Sequence, residues 1–203
     1  MNGKVDFSYL GPAGYAILDD QHPGKLRIGA AVQNKGKHTF NGVFIVKQDS
    51  PITSIDDLKG KKIAFGDRKS TLSCYAPAYM LMQAGIFDTV SYKFLGSHDN
   101  VALAIINGLF DGGGIKPGVA DKYIGKGVKV IVTSEPFHEH VVVIGPHVDM
   151  DTVTKVRTAL INVQDPVVYT SIKKSLTGFD AVQPSDYDNL KELIKIVDAR
   201  LGK

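Results

Sequence analysis

Four short stretches carry residues whose types and spacing could do chemistry. In Ala64-Phe65-Gly66-Asp67-Arg68-Lys69-Ser70-Thr71-Leu72-Ser73 an apolar run enters a polar loop, and hydroxyls stand where a helix would begin. The first turn of a helix has unpaired N–H groups and the positive end of the dipole. With the hydroxyls of Ser70, Thr71 and Ser73 added, such a turn can wrap an anion with directed hydrogen bonds. The plainer reading is N-capping by Ser70 or Thr71, which needs no ligand. It is not a Walker motif, because no Gly-Lys-Ser/Thr follows a glycine-spaced loop.

Gly96-Ser97-His98-Asp99-Asn100 is a second helix start. His98 there can donate from one or both ring nitrogens to a ligand oxygen. The dipole favours its neutral ring, and a bound anion pushes its pKa back up. The plainer reading makes Ser97 or Asp99 the N-cap. In His138-Glu139-His140 an extended backbone would point both histidines to one face. Metal sites need three or four ligands, and His22, His38, His98 and His147 are scattered, so a solvated or hinge-lining loop is expected and no metal. In Asp111-Gly112-Gly113-Gly114 the glycines are read as following a strand. They would admit a ligand or another backbone closely, or simply make a tight strand-to-helix turn.

Catalytic patterns are missing. Cys74 could be a nucleophile beside His98, but a free cysteine in an apolar helix is usually a small buried hydrophobe. No Gly-x-Ser-x-Gly elbow and no Gly-x-Gly-x-x-Gly fingerprint occurs. No paired carboxylates stand out, so no catalytic residue and no cofactor are assigned.

The elements that must position these stretches alternate. Strands are expected over Val5–Leu10, Leu26–Val32, Val43–Val46, Lys62–Phe65, Val90–Leu95, Leu109–Gly112, Lys129–Thr133 and Val141–Ile144. Helices are expected over Tyr15–Asp20, from Tyr75 to a C-cap at Gly85, after Gly96 to Gly108, over Val153–Val163, and through Leu190, Leu193, Ile194, Val197 and Leu201. Ser54 with Asp57 resembles a capping box. The alternation with short connections predicts an α/β chain with parallel crossovers. The chain has 203 residues, 43% hydrophobic and 22% charged, which is ordinary globular composition. Lys plus Arg is 24 and Asp plus Glu is 21, and a net charge of +3 is too small to argue for nucleic acid. The single cysteine allows no intrachain disulfide. No apolar run is long enough to span a bilayer, and Met1-Asn2-Gly3-Lys4 does not read as a secretory signal.

The order of these pieces resembles the phosphonate/phosphate/phosphite-binding family of ABC-transporter solute-binding proteins, over essentially the whole chain. The residues that carry the resemblance are Val5 to Pro12, Phe44-Ile45-Val46, Asp49-Ser50-Pro51-Ile52, Asp57-Leu58-Lys59-Gly60-Lys61 and Phe65-Gly66-Asp67. Ser70-Thr71, Pro77, Ser97-His98-Asp99, Ala102 to Ile105, Gly108, Asp111, Ser134-Glu135-Pro136, Gly178-Phe179 and Asp186-Tyr187-Asp188 complete them.

The resemblance implies the periplasmic-binding-protein type 2 fold. Two lobes, each with a central mixed sheet flanked by helices, would close on a ligand in the cleft. The first lobe would be 1–42 and 134–203, the second 43–133. The chain would cross twice, near 38–48 and 131–140. By carry-over Ser70, Thr71 and Ser73 would bind phosphoryl oxygens, with N–H groups of Leu72 and Ser73, and His98 would donate. Leu10 occupies the place of an aromatic hydroxyl, with Tyr9 beside it, and Phe40 stands where relatives often have tyrosine.

Departures narrow the ligand. The family's Ser-Thr-Ser-Gly is Ser70-Thr71-Leu72-Ser73 here, so one hydroxyl moves by about 100° around a helix. Gly118 and His140 occupy places where amine-holding carboxylates stand in aminoalkylphosphonate binders, which argues against an amine-bearing ligand. Relatives also begin with a strand, helix, strand and helix not found here. The resemblance therefore implies a first lobe incomplete at its N-terminus, and with it dimerisation or a weakened cleft. It further implies an ABC permease as partner and a place in the periplasm or on a lipid anchor outside the cytoplasmic membrane. A sensing domain of a receptor, or an enzyme using His98 as base, are the rival readings.

Overall fold

A computed structural model describes residues 5–202; the Met1–Lys4 stretch lies outside the described residues. In chain order the strands are β1 (Phe7–Leu10), β2 (Arg27–Asn34), β3 (Thr39–Phe40), β4 (Val43–Lys47), β5 (Lys62–Phe65) and β6 (Ser91–Phe94), then β7 (Gly112–Ile115), β8 (Val128–Thr133), β9 (Phe137–His138), β10 (Val141–Ile144) and β11 (Leu176–Asp180). The helices are α1 (Pro12–Gln21), α2 (Ala76–Gln83), α3 (His98–Ile106), α4 (Pro117–Tyr123), α5 (Met150–Asn162), α6 (Pro166–Ile172) and α7 (Asp188–Leu201). A π-helical turn, Thr71–Tyr75, runs directly into α2.

The chain forms two compact units. One comprises Met1–Phe40 and Phe137–Glu192, the other Asn41–Pro136 and Leu193–Lys203. Two passages between them fall where β3 pairs antiparallel with β9. A third falls inside α7. The expectation placed all of 134–203 in the first lobe with two crossings; the last turns of α7 group instead with the second unit. Two ion pairs join these turns to the second unit: Arg68 Nη2 donates to Asp198 at 2.8 Å, and Arg200 pairs with Asp88.

The first unit is built on a sheet of order β1-β10-β2-β11, with antiparallel pairings throughout. Tyr15, Leu26, Ile28, Val141, Val143 and Tyr187 make one buried cluster, and Ala30, Val32, Leu176 and Phe179 another. Leu160 and Val163 of the expected amphipathic stretch pack on the second cluster. Asp149 caps α5 by accepting from the Thr152 N–H at 2.8 Å. The sequence reading missed α6 and β11. The seven-residue α6 buries no side chain, so no apolar period marks it, and β11 carries Gly178 in mid-strand.

The second unit has a mixed sheet of order β6-β5-β7-β4-β8, in which β5 runs parallel to β6 and β7. The apolar run Val43-Phe44-Ile45-Val46 is buried in β4, as expected of a covered strand. Its core joins Ile45, Ala64, Val101, Ile105, Ile115 and Val119. Asp57 fills half of the capping box, accepting from the N–H groups of Thr53 and Ser54.

One expectation is corrected here. The three glycines do not follow a strand; they are most of β7, in the middle of this sheet. A Cβ at Gly114 would lie 2.3 Å from Pro77 Cγ, and one at Gly113 would lie 2.4 Å from the Ala64 carbonyl and 2.7 Å from a Val101 methyl. What the glycines admit closely is therefore the protein's own α2, α3 and β5.

Candidate functional site

The first junction follows β5. Ser70 has an extended backbone, and its hydroxyl accepts from the Ser73 N–H at 3.2 Å, so the capping reading holds for Ser70. The Ser70 carbonyl receives both Cys74 and Tyr75 N–H groups, at 3.2 and 3.1 Å, which is how the turn widens to π spacing. Pro77 lacks an N–H, so the Ser73 carbonyl four residues earlier loses its helical donor. The Gly66 N–H takes that carbonyl at 2.8 Å and ties the loop to the helix start. Thr71 and Leu72 are buried, and the Leu72 N–H has no acceptor within its helix. Ser73 is fully buried. Among the described residues its Oγ has no hydrogen-bond partner, and it sits 2.3 Å from where a Gly66 Cβ would be.

Gly66 also holds the second junction. Its carbonyl accepts from the Gly96 N–H at 3.2 Å, next to the Leu95 N–H on the Phe65 carbonyl at 2.8 Å. Ser97 caps α3, accepting from the Asn100 N–H at 3.1 Å. The His98 Nδ1 accepts from the backbone N–H of Lys116 at 3.2 Å. Lys116 is the residue between β7 and α4, so this bond ties the second junction to a third. It also sets the tautomer: with Nδ1 accepting, the neutral ring carries its proton on Nε2. Burial pushes His98 down to about 4, helped by the Lys116 charge and opposed by Asp99. At neutral pH His98 is an uncharged donor.

Three neighbouring parallel strands, β6, β5 and β7, thus end together, and each leads into a helix start. Ser70, Thr71, Leu72, Ser73 and His98 are brought to this one end of the sheet. The carboxyl ends of parallel strands are where open α/β sheets bind ligands.

Tyr9, Leu10 and Phe40 belong to the first unit. The exposed Tyr9 ring stacks on His140, with centroids 5.2 Å apart and 14° between planes, and Phe40 lies 5.9 Å from the same imidazole. Leu10, on the opposite side of β1, is half-buried and packs against the Tyr15 cluster. Burial raises the Glu139 carboxyl, but hydrogen bonds from the His140 ring and N–H outweigh it and hold the group below the usual range. Burial and the Glu139 charge push Tyr9 up to about 12. His138 and His140 do not share a site: the His138 ring lies against His38 and Tyr187. Among the described residues no group of three or more His, Cys, Asp or Glu could hold a metal ion. Cys74 is fully buried and its thiol is pushed up to about 12 by burial despite Arg68, so it stays a protonated thiol.

Residues 1–187 match the family described as "ABC transporter, phosphonate, periplasmic substrate-binding protein". The chain belongs to this family. The phosphate-import protein PhnD of Mycolicibacterium smegmatis is 29% identical over 123 residues, which are 55% of this chain and 38% of that protein. The chain thus spans well under half the length of this curated relative. The XAC2383 protein of Xanthomonas citri, solved with chloride, is 21% identical with a TM-score of 0.85, covering 98% of this chain and 80% of that one. PhnD1 of Prochlorococcus marinus, solved with methylphosphonate, is 19% identical with a TM-score of 0.82, covering 96% and 79%. These likenesses fix the fold as the α/β binding-protein type, with helices flanking its sheets. The family consists of periplasmic binding proteins, and among the described residues no helix is long and apolar enough to cross a membrane.

For a member of this phosphonate-binding family, two features of the structure were hidden in the sequence. Lys116 was not singled out, because the glycines before it looked like the end of a strand rather than the strand. His140 was read as a metal-ligand candidate and as a replacement for an amine-holding carboxylate, not as a partner of Tyr9 and Phe40. Its signal was the adjacent Glu139, a buried carboxylate that orients the ring.

Proposed function

We propose that this chain is the solute-binding component of an ABC transporter, that it takes a tetrahedral oxyanion of the phosphonate, phosphate or phosphite type, and that it is not an enzyme. The observation that carries the reading is the gathering of three strand-to-helix junctions through Gly66 and the Lys116–His98 bond. Thr71, the Leu72 N–H and the His98 Nε2 are the donors assigned to the anion, with Ser70 and Ser73 setting the turn that presents them. Tyr9 and Phe40 are assigned to ligand binding by the family resemblance, and Leu10, half-buried, packs behind β1. Family membership and the names of its relatives favour the same ligand class. Gly118 offers no carboxylate, which favours a ligand without an amine.

Family membership supports a membrane permease as partner and a periplasmic location. A homodimer is favoured by the exposed apolar Phe7 of β1 and Val5 just before it, β1 being a sheet edge in the described residues. Sedimentation at rising concentration tests it: a dimer is expected, and a strict monomer overturns it.

Isothermal calorimetry with phosphate, phosphite and methylphosphonate tests the ligand. One-site binding to at least one of them is expected, weakened in Thr71→Ala by about 1.5–3 kcal/mol, the range for a hydrogen bond to a charged group. Heat from none of the three overturns the reading.

A further inference from the structure

His98 supplies no charge to this end of the sheet, and neither does any hydroxyl. The other charged side chains around the junctions are mostly engaged. Arg68 is paired with Asp198 and also reaches the Gly202 carbonyl. Asp99 is held by Lys122 at 3.4 Å and by the Tyr123 hydroxyl at 3.1 Å. Asp67 accepts from the Lys69 N–H at 2.9 Å. Lys116 is exposed and makes no ion pair among the described residues. Its backbone is fixed against His98. Its charge disfavours the His98 imidazolium and favours the Asp99 carboxylate.

We propose that Lys116 is the specificity-determining cation of the oxyanion site, selecting a doubly charged tetrahedral ligand over a singly charged one of the same shape. The inference rests on the oxyanion reading above. Hydroxyls, N–H groups and a neutral imidazole recognise the geometry of the oxygens, and they treat isosteric oxyanions alike. A single ammonium on the residue directly after the glycine strand adds a term that grows with ligand charge. Because Lys116 donates to His98 through its backbone, a side-chain substitution leaves the tautomer lock in place. The second free cation of the neighbourhood, Lys69, sits on the exposed loop before the Ser70 cap and serves as the comparison.

The test uses two ligands of one shape, methylphosphonate and methanesulfonate, above the second ionisation of the phosphonate. Calorimetry on the full chain is expected to show methylphosphonate bound more tightly than methanesulfonate. Lys116→Gln is expected to cut that ratio by about tenfold or more, the size of one hydrogen bond to a charged group. Lys116→Arg is expected to keep the ratio, and Lys69→Gln, on the exposed loop, to leave both affinities and their ratio near the wild-type values. A wild-type protein that binds both equally, or a Lys116→Gln protein with the wild-type ratio, overturns the assignment while the oxyanion reading stands. Binding of neither anion by the wild type overturns the assignment, and the oxyanion reading falls with it only if phosphate and phosphite also give no heat.

Discussion

His98 is held as an uncharged donor by burial and by one backbone bond, and that makes its protonation measurable. The sign follows from its pKa, lowered from 6.5 to about 4 in the folded chain. Between those values the unfolded chain binds a proton that the folded chain refuses, so stability falls as pH drops from about 6.5 towards 4. Urea midpoints across this window are expected to fall more in the wild type than in His98→Gln; parallel curves would contradict the pKa and the burial behind it. The caps at Ser70 and Ser97 were legible in the sequence because a short hydroxyl side chain before an apolar run has few better uses. Ser73 was not. The reading placed it by α-helical rotation, but the turn has π spacing, and Ser73 Oγ ends against Gly66. Pro77 was the available hint, since its missing N–H frees the Ser73 carbonyl.

Among the elements, β7 decides how close the helix starts come to one another. A Cβ at Gly113 would meet backbone, the Ala64 carbonyl at 2.4 Å, which cannot rotate away. Gly113→Ala is expected to lower stability by about 1–3 kcal/mol, as overpacking does. Gly118→Ala, in α4 with nothing within 4 Å of the new Cβ, is expected to be neutral or to add about 0.4–1 kcal/mol. Chemical denaturation of the pair checks both; equal stabilities would contradict the packing described. The hydrophobic periods revealed β4, α5 and α7, whose burial repeats. They could not reveal β7, because a strand of glycines has no side chains to make a pattern, nor α6, which buries none. The apolar pattern of β5 and the cap at Ser97 made two of the three junctions readable, while the third stayed hidden with β7.

In the molecule as a whole, the α/β class and the order of its pieces were readable, and the ownership of the C-terminus was not. No spacing in residues 193–203 announces Arg68 as the partner of Asp198; that pair joins positions far apart in the chain. Asp198→Ala is expected to cost about 1 kcal/mol at most, given that both side chains are about one-third exposed, at 32% and 33%. Thermal unfolding at low and high salt checks it, with the loss shrinking as salt rises. The central claim is that three junctions serve one anion. An amide and imidazole NMR titration with methylphosphonate tests it most directly. Shifts concentrated at Ser70–Ser73, Ser97–His98 and Lys116, saturating together, are the predicted result. Shifts confined to one of these segments, or lying elsewhere in the chain, would contradict it.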